Sequence, residues 1–124
     1  MQTHLGKVRG LGSAKSGTEH WWMQRVTAIA LVPLSVWLLV SLVGLVGAGH
    51  ATVVGWIANP MVTVLLILFA SVTAWHMKLG LQVVIEDYVH SEGAKILALM
   101  LVNFAAAVIG LAAVVSVLKI SFGS

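Results

Sequence analysis

From Val26 to Met77 the chain carries no Asp, Glu, Lys or Arg, a run of 52 residues. A helix that crosses the hydrocarbon core of a bilayer takes about 20 residues, so this run holds two crossings. A third apolar stretch lies between Lys95 and Lys119. Composition points the same way, with 60% hydrophobic and 9% charged residues and a mean hydropathy of +1.03. Such a chain has lipid as its main solvent. A soluble enzyme or a nucleic-acid-binding domain is not expected.

Punctuation places the spans. The first is expected over residues 26–48, closed by Gly47-Ala48-Gly49-His50, and the connection to the second is expected as a loop through Trp56. Asn59-Pro60 suits a helix start with proline at the first helical position, which gives a second span over 61–84. The third covers 96–118, with Lys95 and Lys119 placed to reach the two interfaces. The expected architecture is an all-α integral membrane fold of three transmembrane helices. It divides into an arm over 1–25, a membrane domain over 26–118 and a tail over 119–124. Lys7, Arg9, Lys15 and Arg25 precede the first span, and the first connection carries no basic residue. By the positive-inside trend the N-terminus is cytoplasmic and the C-terminus periplasmic. Trp21, Trp22 and Trp56 fall where aromatic belts sit.

The first 18 residues contain no acid and read as a flexible cytosolic arm. A cleaved secretory signal needs an apolar core of about 7–15 residues, shorter than the first span. A mitochondrial presequence would be richer in arginine and amphipathic. With no cysteine the chain offers neither a disulfide nor a thiolate site, so the redox compartment is not legible.

Within the second span stands His76. An ionisable side chain at membrane depth is costly and marks a functional site by default. At 100° per residue His76 shares a helix face with Thr73, Gly80, Val83 or Val84, and Asp87. Gly80 removes a side chain one turn from the imidazole, as a flat macrocycle or a close helix would require. Haem b takes axial imidazoles, and this chain offers one at that depth. A second ligand would come from another polypeptide or a second copy. The alternative is a histidine that only hydrogen-bonds a neighbouring helix. Gly44, Gly47 and Gly110 read as helix-packing positions, whereas Gly80→Leu is expected to matter more than a change at Gly110. Arg25 and Lys78 fit interfacial snorkels, Lys78 pointing away from His76. His4, His50 and His90 read as solvated loop residues and His20 as interfacial.

Glu86-Asp87-Tyr88 ends the second span with acids where the positive-inside trend and the helix dipole both disfavour them. Tyr88 is therefore either an interfacial anchor or a phenolic donor beside a carboxylate, suited to a quinone carbonyl.

The run His76-x3-Gly80-x-Gln82-Val83-x3-Asp87-Tyr88-Val89, with Arg25-x-Thr27-Ala28 at the start of the first span, resembles the small hydrophobic membrane anchor of succinate dehydrogenase, respiratory complex II. The resemblance spans about Gly17 to Leu118, and it implies roles for named residues. His76 would be an axial ligand of haem b, with the other from the companion cytochrome b556 membrane subunit. Arg25 would sit near a haem propionate, as guanidinium pairs with carboxylate. Tyr88 would hydrogen-bond ubiquinone, with Asp87 in the same site. Lys78 departs from the family pattern, in which an uncharged residue is common. The implied partners are the cytochrome b556 subunit, an iron–sulfur subunit, a flavoprotein subunit and membrane lipid, in a bacterial inner membrane rather than a mitochondrial one. The implied function is anchoring of a succinate:ubiquinone oxidoreductase and shaping of its quinone site, with no succinate chemistry in this chain. Two rivals stand beside it: a fumarate reductase anchor, and a haem-free structural or transporter subunit.

Overall fold

The computed structural model describes residues 12–123, with side chains from Thr18 onward. His4, Lys7 and Arg9 lie outside the described residues. Among the described residues four helices follow in order: α1 (Gly12–Gly44), α2 (His50–Ala58), α3 (Pro60–Tyr88) and α4 (Glu92–Ser121). Three segments are long and apolar enough to cross a membrane, Thr18–Gly44, Pro60–Tyr88 and Glu92–Ser121. The expected all-helical, three-span architecture is borne out.

The ends of the spans differ from expectation. α1 begins at Gly12, so residues 12–18, expected as part of a flexible arm, are helical. Once a helix is nucleated, each added residue gains one hydrogen bond for one ordered residue, so a glycine costing about 1 kcal/mol does not stop it. α1 ends at Gly44 rather than 48, and the chain leaves through a turn in which Gly47 takes φ +84°. Glycine adopts that left-handed conformation without a Cβ clash. Pro33 lies inside α1; it withholds an N–H from the carbonyl one turn back, a defect that membrane helices tolerate when neighbours compensate.

The connection expected as a loop contains α2, nine residues long, with His50 at its first position. Trp56 of α2 stacks on Trp37 of α1, ring centroids 5.8 Å apart and planes inclined by 23°. Asn59 and Pro60 behave as their chemistry predicts. Asn59 is the N-cap of α3, its side-chain oxygen accepting from Met61 N–H at 3.0 Å, and Pro60 occupies the first turn. A three-residue turn joins α3 to α4, which starts with Glu92 and carries Lys119 in its last turn, both favourable to the helix dipole.

α3 is the central helix, packed on α1 along one side and more extensively on α4 along another. Among the described residues Leu79 and Ala106 are the buried apolar ones, while Val43, Val46, Leu39, Phe104 and Leu111 are among many large apolar side chains left exposed. That distribution suits a chain solvated by acyl chains, where association rests on close packing and polar contacts rather than on expulsion of water. At the α3–α4 contact a Cβ built on Gly110 would lie 3.1 Å from Cβ of Ala74. At Gly80 the nearest atom to such a Cβ is Nε2 of Gln24 at 3.7 Å, an ordinary contact. Within this chain the close helix approach is therefore at Gly110, as its reading as a helix-packing position expects, while the expected effect of Gly80→Leu concerns haem insertion and pairing with a second polypeptide.

Candidate functional site between α1 and α3

Two polar stripes face each other across the α1–α3 seam. On α1, His20, Gln24 and Thr27 follow the four- and three-residue spacing of one helix face. On α3, Thr73, His76, Gly80 and Val83 do the same. The stripes meet where Oγ1 of Thr27 lies 2.8 Å from Nδ1 of His76. Thr27 is buried, at 6% exposure, and His76 is half-buried. The same hydroxyl sits 2.7 Å from the carbonyl oxygen of Met23 and 3.1 Å from that of Gln24. Nε2 of His76 has no hydrogen-bond partner among the described residues.

Around this contact, polar atoms are buried without partners: Nε2 of His20, Oε1 of Gln24 and Oγ1 of Thr73. Burying such a group without a hydrogen bond costs about 1–3 kcal/mol, so three along one seam mark a surface built to meet something further. Beside them a recess of about 410 Å³ is lined by His20, Trp21, Gln24, Arg25, Gly80 and Val83. His76 does not line it but stands one turn away on the same face of α3. Arg25 is exposed, its guanidinium 5.3 Å from the centre of the Trp21 ring.

Of the residues singled out in the sequence, Arg25 and Gly80 meet at the recess and His76 faces the same seam. Asp87 and Tyr88 do not join them. Tyr88 is the last residue of α3 and 76% exposed, Asp87 is exposed beside it, and Glu86 accepts from Gln82 Nε2 at 3.1 Å. Lys78 turns to the opposite side, as its angle predicts. Its ammonium lies 4.3 Å from the centre of the Trp75 ring, in a groove that includes Asn103 and Gly110 of α4. His20, expected at the membrane interface, turns its ring into the seam. Its alignment with Gln24 and Thr27 is not among the sequence expectations, although their spacing is a readable signal.

Among the described residues no three His, Asp or Glu side chains cluster to hold a metal ion. The donor set suits a narrower task, one axial position on a metal already enclosed by a macrocycle. His76 offers an imidazole nitrogen without a partner, and Arg25, with the unpartnered ring nitrogen of His20, could donate to a carboxylate at the margin, whereas the unpartnered oxygen of Gln24 can only accept.

The family profile described as succinate dehydrogenase/fumarate reductase transmembrane subunit matches residues 1–111. The chain belongs to this family. Among its relatives, the succinate dehydrogenase hydrophobic membrane anchor subunit of Rickettsia bellii is 36% identical over 71% of this chain and 70% of its own length. The succinate dehydrogenase membrane anchor subunit of Reclinomonas americana is 33% identical over 72% of this chain and 77% of its own. The corresponding protein of Paracoccus denitrificans is 30% identical over 94% of this chain and 90% of its own. No solved structure gives a significant match. The resemblance read from the His76 to Val89 segment is thus borne out for the family, and the chain is a multi-pass transmembrane member of it.

Proposed function

We propose that this chain is a membrane anchor of a succinate:ubiquinone oxidoreductase, co-ligating haem b through His76 and contributing Tyr88 and Asp87 to the quinone site. The observation that carries the reading is the α1–α3 seam, where one half-buried imidazole keeps Nε2 without a partner while neighbouring polar atoms are buried and unmatched. His76 would hold haem b from this chain, with a further ligand from the cytochrome b556 subunit, and the haem would supply one-electron redox capacity there.

Each residue's task follows from its place. His76 binds and orients; Arg25, lining the recess with Gly80, holds a propionate as guanidinium holds carboxylate. Tyr88, exposed at the end of α3, donates its phenolic proton in a hydrogen bond to a quinone oxygen, and Asp87 beside it accepts or relays a proton from the water side. Basic residues before the first span support, by the positive-inside trend, an N-terminus and an α3–α4 turn on the cytoplasmic side. There the iron–sulfur and flavoprotein subunits dock, and the membrane is a bacterial inner membrane.

The test is His76→Leu in the assembled complex. Loss of the low-spin b-type spectrum, or conversion to a high-spin species held by the partner's ligand alone, is the expected result. An unchanged low-spin spectrum overturns the assignment.

A further inference from the structure

The hydroxyl of Thr27 has one proton and three close neighbours, two of them carbonyl oxygens that only accept. At 2.7 Å from the Met23 carbonyl and 3.1 Å from that of Gln24, an unprotonated approach of oxygen to oxygen would be repulsive, so the hydroxyl proton points along α1 toward Met23. Its lone pairs then face Nδ1 of His76 at 2.8 Å, and that contact is a hydrogen bond only if Nδ1 carries the proton. A neutral imidazole protonated at Nδ1 has its lone pair on Nε2. That nitrogen is the one without a partner.

We infer that Thr27 is a positioning residue that fixes His76 as the Nδ1–H tautomer and thereby presents Nε2 as the ligating atom. The metal half of this inference rests on the haem reading above; the tautomer half does not. The device is one hydroxyl whose direction is dictated by the α1 backbone, so ring orientation and tautomer are set together before any ligand arrives. Ligating histidines characteristically donate their second N–H to an outer partner, which orients the ring and raises its basicity. Here the partner is on another helix, and α1 must be seated on α3 for His76 to be ready.

Two measurements test the inference. In the full chain reconstituted in phosphatidylcholine bilayers with ¹⁵N-labelled histidine, solid-state spectra read against His76→Leu to isolate the His76 signals should show Nδ1 protonated and Nε2 bare at neutral pH. Protonated Nε2 with bare Nδ1 overturns the inference whether or not haem binds. In the assembled complex, Thr27→Val keeps the side-chain shape and removes the acceptor. The haem midpoint potential should rise, because a less basic imidazole favours the ferric state less, and the low-spin resonance should broaden or shift as the ring loses its fixed plane. Haem affinity should fall about 10–100-fold, as for other outer partners. Thr27→Ser, which restores the hydroxyl, should return all three. Wild-type potential and resonance in Thr27→Val would reduce Thr27 to a helix fastener and refute its role toward the haem. Absence of haem from the wild-type complex would instead refute the haem reading and leave the tautomer result to stand or fall by itself.

Discussion

Thr27 and Thr63 are the buried polar residues among those described, and they solve the same problem with opposite outcomes. Each hydroxyl bonds back to a carbonyl four residues earlier and reaches across to another helix. Thr63, near the start of α3, reaches the carbonyl oxygen of Ile57 in α2 at 2.7 Å, that of Asn59 at 3.1 Å and Oγ of Ser121 in α4 at 2.7 Å. That set closes three helices at one end of the fold. Thr27 reaches an imidazole whose other nitrogen is left over, in a seam with further unmatched polar atoms. The first region is complete within the chain; the second is complete only with something added. Satisfied polar contacts in lipid hold helices together, and unsatisfied ones locate the work the protein does.

Perturbing the dry contact on the far side of α3 should have the largest effect and should spare neither region. Gly110→Leu pushes a branched side chain at a point already 3.1 Å from Ala74. Overpacking of this kind costs about 1–3 kcal/mol, so the α3–α4 pair should loosen and co-purification with the other polypeptides of the complex should fall. Gly80→Ala, meeting only an ordinary contact, should leave the chain's thermal stability nearly unchanged in the same bilayers. Equal losses at both glycines would show that Gly80 faces a partner as closely as Gly110 faces Ala74.

Thr63→Val sharpens the contrast between the threonines. Removing that hydroxyl takes a hydrogen bond from Ser121 and should lower stability by about 1 kcal/mol, read as earlier thermal unfolding in bilayers, with the haem spectrum untouched. If it moved the spectrum as much as Thr27→Val does, the two regions would not be separable and the comparison would fail.

The smallest effect is expected where the structure offers least contact. Tyr88→Phe should slow quinone-linked turnover two- to tenfold, corresponding to about 0.5–1.5 kcal/mol for a lost hydrogen bond. Succinate oxidation with an artificial acceptor should be unaffected. Wild-type quinone reduction at subsaturating quinone would make Tyr88 an interfacial anchor.

Spans were legible in the sequence because long uncharged runs, Asn59-Pro60 and terminal lysines are local signals. α2 was not, since nine apolar residues between glycines lack the length and the two-sided pattern that distinguish a helix from a loop. The helical start of α1 was hidden by its glycines, whose local preference yields to propagation from a long apolar helix. Within the site, periodicity put His76 and Gly80 on one face. It could not supply Thr27 as the histidine's partner, because a contact across 49 positions depends on how two helices are turned toward each other. The reading of His76 as a simple interhelical hydrogen bonder is in fact realised at one of its nitrogens, and the ligand reading needs only the other.

α1 runs for 33 residues without a break, about 50 Å at 1.5 Å per residue, against a hydrocarbon slab of about 30 Å. Its outer turns therefore stand beyond the apolar slab while Gln24 and Thr27 sit farther along the same rod. Thr27 thus belongs to the same unbroken helix as turns that lie outside the slab, and its contact with His76 is made by an element longer than the membrane is thick.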